Sequence, residues 1–442
     1  MTNQIKAPRI TMHTAFYVAW ALFLASIFVR NVFDIRFPII IVLALSCLPA
    51  IVGDRNEIIA SAISLLPMTT AFQFKYALLL IMVIYIVKYM HDVKYMSGFI
   101  IIAVMFAWEL LHGLVYEISL LNTVRGFAEL IFCAFLMSLS NVEFKHEKIF
   151  RMIAISTTVA GTIVLLNLLT SNGFDIVSVF EGGYRFGKGD TSVTEYGMNY
   201  NSNDMGMLFN AAMCGIFYLI KLKRTKPIDY VMLPILLIYG IFTQSRAFII
   251  CFAFILVLFI ISSGTLKNKV KLLCSILIFC SIVILLLNLL LPDVLENYIS
   301  RFGEDDISNG RFDILKLYGE LILSDIRYFI FGIGMNDISS KAGAIIPGII
   351  ASAHNGTQEI IVAWGIVGLI LIIAFIIAMI RKAKMSGNKL QLLNVIMLLF
   401  LILYVQSGQF LTADKCLLAL CLSYVCISIN LRKAENTYEF DC

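Results

Sequence analysis

Long apolar runs broken by short polar ones set the pattern of this chain. Runs centred on 14–29, 38–52, 57–73, 76–90, 98–115, 123–140, 149–169, 204–221, 228–243, 246–263, 270–291, 355–380, 389–405 and 413–431 are long and apolar enough, with their interfacial neighbours, to read as membrane helices. The second, third and fourth are the shortest, so the expectation is about 12–14 spans rather than a fixed number. The first run, "TAFYVAWALFLASIFV", follows Lys6 and Arg9 but has no small-residue cleavage site, and equally apolar runs come after it. It reads as an uncleaved first helix. The predicted class is therefore an all-α, polytopic integral membrane protein, with residues 1–442 forming a single membrane domain.

Two polar stretches, 170–203 and 292–354, are too long to be plain connections. In the second, Phe312, Leu315, Tyr318, Leu321 and Ile322 recur at three and four, and Lys316 and Glu320 stand one turn apart. That spacing predicts an amphipathic helix opened by the turn Asn309-Gly310, with Arg311 in its first turn, lying on the membrane surface or over a cavity mouth. The run "YFIFGIGMND" then brings a glycine turn before the chain returns to the membrane at His354.

Composition narrows the picture further. The chain is 60% hydrophobic and 14% charged with a mean hydropathy of +0.90, a balance that excludes a soluble globular domain of this length. Its ten cysteines lie mostly in apolar runs and include no Cys-x-x-Cys pair, so they read as small packing residues rather than metal ligands or disulfides. Most of the 34 basic residues fall on one side when the spans alternate from a cytoplasmic N-terminus: "KLKRTK" (221–226), "KNKVK" (267–271), "RKAK" (381–384) and "KHEKIFR" (145–151) are all inside. Both termini are then cytoplasmic, and loops 170–203 and 292–354 are outside. Lysine dominates inside. Outside, arginine dominates, at Arg125, Arg185, Arg246, Arg301, Arg311 and Arg327.

That asymmetry carries candidate chemistry, because a guanidinium grips phosphate oxygens through two parallel hydrogen bonds where an ammonium acts as a point charge. Arg246, in "TQSRAF" between two spans with almost no loop, needs a partner or a wet cavity at that depth. Loop 170–203 is rich in Gly, Asn, Ser, Asp and Tyr, a set suited to sugar contact. The acidic trio Glu304, Asp305 and Asp306 reads as solvated loop rather than a cation site. His354 is the candidate base, since an imidazole takes a proton near neutral pH.

"HNGTQEIIVAWGIVG", with His354, Asn355, Gly365 and Gly368, resembles the signature of the O-antigen ligase and polymerase (Wzy/WaaL) family. Other pieces fall in the family's order. "TQSR" ending at Arg246 resembles its Ser-Arg or Thr-Arg turn, "NGRFDILK" at Arg311 its loop-helix arginine, and "FGIGMND" its Gly-x-Gly turn. "YRFGKGD" at Arg185 and "NYNSNDMG" at Asn203 are similar to its Arg-x-x-Gly and Asn-Pro-Asn stretch, with Ser202 in place of proline. The resemblance covers residues 170–370, and the first 140 residues match in hydropathy alone.

The resemblance implies a GT-C-type helical fold and glycosyl transfer at the outer face of the bacterial cytoplasmic membrane. Undecaprenyl-pyrophosphate-linked oligosaccharide would be the donor, with no metal or cofactor and no nucleic-acid partner. It implies His354 as base, Arg246 and Arg311 as principal donor contacts, Arg185 and Arg301 as weaker ones, and Asn355 and Asn203 as substrate contacts. The glycines would let the His354 helix pack closely on a neighbour. The acceptor would be a second lipid-linked repeat unit in a polymerase, the favoured reading, or lipid A-core or a protein in a ligase. A chain-length regulator and a flippase are the protein partners such a polymerase would have. A flippase or transporter in place of the enzyme would predict basic residues lining the membrane interior and repeat halves, and the chain reads as having neither lysines within spans nor an internal repeat.

Overall fold

The computed structural model describes residues 12–429 with these exceptions: 34, 36, 69–73, 95, 117–118, 141, 172, 175–185, 187–200, 263–264, 350–351, 386–390, 412–413, and 291–309 apart from 292, 296, 299 and 300. The described chain is helical almost throughout, and its only isolated β-bridge joins Val93 and Leu139. The helices are α1 (Met12–Val32), α2 (Ile39–Val52), α3 (Arg55–Ser64), α4 (Phe74–Tyr89), α5 (Ser97–His112), α6 (Leu120–Ser138), α7 (His146–Ser171) and α8 (Ser202–Lys221). They continue as α9 (Pro227–Phe242), α10 (Arg246–Ile261), α11 (Leu266–Leu290), α12 (Arg311–Ser324), α13 (Ile326–Ile330), α14 (Ile338–Ile345), α15 (Gly356–Met385), α16 (Leu392–Val405) and α17 (Asp414–Ile427).

Among the described residues, six helical stretches are long and apolar enough to cross a membrane: Met12–Val32, Phe74–Asp92, Leu120–Ser138, His146–Thr170, Leu266–Leu290 and Gly356–Lys384. Six more apolar helices are shorter: Ile39–Val52, Ser97–His112, Pro227–Phe242, Arg246–Ile261, Leu392–Val405 and Leu418–Ile427. The chain is thus an all-α polytopic membrane protein. The third predicted span is realised as the ten-residue α3 followed by a single 3₁₀ turn, Leu66–Met68. Its entry is set by sequence: Asp54 accepts from the Glu57 amide, and the Glu57 carboxylate reaches back to the Asp54 amide.

Contacts between connections sort the two ends of the bundle. At one end Lys148 pairs with Glu57 at 2.8 Å, Arg151 with Asp229 at 2.9 Å and Arg224 with Glu147 at 3.4 Å, and the Val93–Leu139 bridge lies among them. These are the connections the basic residues assigned to a single side. At the other end lie α12 to α14, the 243–245 turn, His354 and the segment after α16. A charged pair is placed within the apolar layer. Lys75, in the first turn of α4, lies 3.8 Å from the fully buried Glu129 of α6. The expectation of lysine-free spans therefore fails at α4, which carries Lys75 in its first turn and Lys88 in its last.

The amphipathic helix predicted from Arg311 is α12, and Gly310 at φ 74° precedes it. It buries Tyr318, Leu321 and Ile322 but leaves Phe312 exposed. α12 lies across the start of α15, where the Gln358 side chain donates to the Leu315 carbonyl at 2.7 Å. α15 is broken at Gly365 (φ 67°, ψ −169°), a backbone conformation open to glycine alone. The break leaves a nine-residue stub, 356–364, ahead of the long span. A Cβ at Gly365 would stand 1.9 Å from the Ile330 carbonyl oxygen, so the close neighbour of this glycine is loop backbone rather than a second helix.

Candidate active site

The helix break exposes carbonyls that would otherwise bond within α15, and the loop after α13 satisfies them. The amides of Ile333 and Gly334 donate to the carbonyls of Val362 and Ala363 at 2.8 and 2.7 Å, and the Trp108 indole donates to the Trp364 carbonyl at 3.1 Å. Behind this junction Glu109 of α5, fully buried, accepts from the Met335 amide, the Asn336 side chain at 3.1 Å and the Trp364 indole at 2.7 Å. His112 reaches the Phe331 carbonyl at 2.8 Å through Nε2, and Lys341 donates to the Ile333 carbonyl at 3.0 Å. The glycine turn of "FGIGMND" is therefore a plug. It fixes the large loop to the broken helix that carries His354 at its head.

His354 sits just before α15, half-buried, at φ 51°, a left-handed conformation that a histidine seldom adopts without its surroundings imposing it. Its neighbour Asn355 does that work. The Asn355 side-chain oxygen accepts from the Gln358 amide at 2.9 Å and so caps α15, while its amide nitrogen donates to the Gln406 carbonyl at 3.2 Å. One turn into the helix, Glu359 accepts from the amides of Phe410 and Leu411, which holds the segment after α16 against the stub.

The same segment receives Arg311, which donates to the Ser407 carbonyl at 3.1 Å. Burial, and the like charge of Arg246, hold the Arg311 guanidinium below its usual range, against an opposing contribution from the Tyr404 phenol. Arg246 opens α10, directly after the cap residue Ser245. Ser245 donates to the Asn203 side-chain oxygen at 2.7 Å, which ties the start of α10 to the start of α8. Next along α8 is Asp204, which accepts from the Tyr404 hydroxyl at 3.4 Å. Burial pushes the His354 imidazole below its usual pKa. The Arg311 charge pushes the same way, and the Asp204 carboxylate opposes both.

His354, Arg311, Arg246, Asn203 and Asn355, separated by up to 152 positions in the chain, thus gather at one end of the bundle around the end of α16. Arg185 and Arg301 lie outside the described residues. The residue after Arg185 does not: Phe186 is buried against Tyr239 and Phe242 and donates its amide to the Phe242 carbonyl at 3.1 Å, one residue before the Arg246 turn. Asn355 acts as helix cap as well as lying next to His354. Sequence reasoning missed Glu109, His112, Asp204 and Tyr404. A signal existed for the first two, since ionisable residues one helical turn apart inside a predicted span demand partners.

What these features define is a helical membrane protein with a neutral-leaning imidazole and two guanidinium groups at one end of its bundle. Residues 231–373 match the family described as O-antigen ligase. That stretch contains Arg246, the Arg311 helix, the Gly-x-Gly plug, His354 and the Gly365 break. No curated protein matches the chain.

Proposed function

We propose that the chain polymerises lipid-linked oligosaccharide repeat units into a surface polysaccharide at the outer face of the bacterial cytoplasmic membrane, both of its termini being cytoplasmic. The observation that carries this reading is that Arg311 bonds the Ser407 carbonyl next to Gln406, which holds Asn355 and with it His354, while the Arg311 charge acts on His354 and the Arg246 charge on Arg311. It pairs one proton acceptor with two groups suited to pyrophosphate, the demand of glycosyl transfer from an undecaprenyl-pyrophosphate donor. His354 takes the proton of an acceptor sugar hydroxyl as its oxygen attacks the anomeric carbon. The bond from that carbon to the pyrophosphate oxygen breaks, and the electron pair leaves on the lipid pyrophosphate. Arg246 and Arg311 stabilise the charge that develops there. The leaving group needs charge stabilisation rather than protonation, so one base and the arginines suffice and no carboxylate pair of the hydrolase kind is required. Attack opposite the leaving group inverts the anomeric configuration. Asn203 and Asn355 border the sugar positions, and Arg185 and Arg301, outside the described residues, stay the weaker candidates for donor contact.

Deletion of the gene followed by gel analysis of surface polysaccharide tests the proposal. A polymerase leaves single repeats attached when lost. Full-length chains left unattached would instead assign a ligase that transfers polymer to lipid A-core or protein through the same residues.

A further inference from the structure

The arginines that suit the site to pyrophosphate create a difficulty for its base. An imidazole beside cations stays neutral, but it also becomes a weaker proton acceptor, and the imidazolium formed during transfer must sit next to Arg311. A carboxylate placed there would relieve this, and no acidic residue lies near Arg246 or His354 in the sequence except Glu359. Glu359 is committed elsewhere, accepting the amides of Phe410 and Leu411.

We propose that Asp204 is a positioning residue for His354: held by the Tyr404 hydroxyl, its carboxylate counters Arg246 and Arg311 and stabilises the imidazolium once the acceptor proton has been taken. Three elements converge to place it. Asp204 follows Asn203, which Ser245 bonds at 2.7 Å beside Arg246. Tyr404, which donates to Asp204 at 3.4 Å, is three residues before Ser407, whose carbonyl receives Arg311 at 3.1 Å. Asn355, adjacent to His354, bonds Gln406 between them. The carboxylate is thus fixed to the same short segment, 404–407, that holds both the arginine and the base. The electrostatic sense agrees, because Asp204 favours the protonated form of His354 where Arg311 opposes it. Among the described groups, Arg311 from α12 and Asp204 from α8 act on the His354 imidazole, Arg246 from α10 acts on Arg311, and Tyr404 from α16 holds Asp204. Asp204 would compensate the charge on His354, as the aspartate of a hydrolytic triad does for its histidine, without taking the proton itself.

This inference rests on His354 being the base, and the test separates the two. Purified wild type, Asp204→Asn and Asp204→Glu are assayed for polymerisation across pH. In parallel, the pH dependence of diethyl pyrocarbonate modification at His354 is read by mass spectrometry, which needs no activity. Asp204→Asn should move both the acid limb of the rate profile and the modification midpoint to lower pH. Its maximal rate should fall by roughly tenfold, less than the ~10²–10⁴-fold loss expected without the base. Asp204→Glu should restore both positions. A merely structural role would scale the rate and leave both midpoints in place, which overturns the proposal. A modification midpoint that moves while the rate profile does not would instead overturn His354 as base. Should Asp204→Asn not insert, Asp204→Ser enters the same comparison with the same two outcomes.

Discussion

The backbone amide of Gly334 donates to the carbonyl of Ala363 at 2.7 Å, so a loop strand completes the hydrogen bonding of a broken membrane helix. The neighbouring bond from Ile333 to Val362 does the same one residue earlier. Because unpaired backbone groups are costly at membrane depth, loop and break depend on each other, and the stub carrying His354 is held by both.

Gly365→Ala should therefore be among the most damaging single changes in the protein. The left-handed, extended backbone alone costs ~1–3 kcal/mol for a residue with a Cβ, and that Cβ would meet the Ile330 carbonyl oxygen at 1.9 Å. Thermal melting in detergent should show a large drop for Gly365→Ala and little change for His354→Ala. Equal melting temperatures for Gly365→Ala and wild type would contradict the break.

Substituting lysine for either arginine keeps the charge and removes the fork. Arg246→Lys and Arg311→Lys should each shorten the polymer or lower the turnover of purified enzyme at equal protein level. Wild-type chain length in both variants would rule out pyrophosphate recognition by these two side chains.

His354→Ala should lose ~10²–10⁴-fold in rate while still inserting and binding donor, as expected for removal of a general base. Near wild-type polymerisation by this variant, or a product with retained anomeric configuration by NMR, would refute the assignment.

The pH dependence has a definite sign. Burial and then Arg311 lower the His354 pKa, so the neutral base survives below the ordinary imidazole value near 6.5 and activity should persist into that range. Stability follows the same group. The unfolded chain takes up the histidine proton first, so folding stability falls as pH drops from the unfolded pKa toward the lower folded one. In Arg311→Gln the modification midpoint of His354 should rise. A downward move would contradict the proximity of the two residues.

The two ends of the bundle should map onto the two sides of the membrane. Reporter fusions after residues 226, 268 and 384 should report cytoplasmic, and fusions within 172–200 and 295–350 outside. An outside signal at 384 would place His354 on the wrong face.

The apolar runs and the amphipathic helix from Arg311 were legible in sequence because they are local. A helix span, its N-cap and its amphipathic stripe depend on residues within a few turns of each other, and α8, α10, α12 and α15 begin where those signals predicted. Arg246, Arg311 and His354 were also legible, since an ionisable side chain at a membrane boundary needs a reason to be there. Tertiary structure decided what those residues face. Tyr404 reaches Asp204 across 200 positions, and the Trp364 indole reaches Glu109 across 255, separations over which no periodicity carries information. The use of Gly365 was likewise hidden: small residues at helical spacing predict a close neighbour, but only the folded chain shows it to be the Ile330 backbone, admitted because the helix opens there and the loop supplies the missing donors.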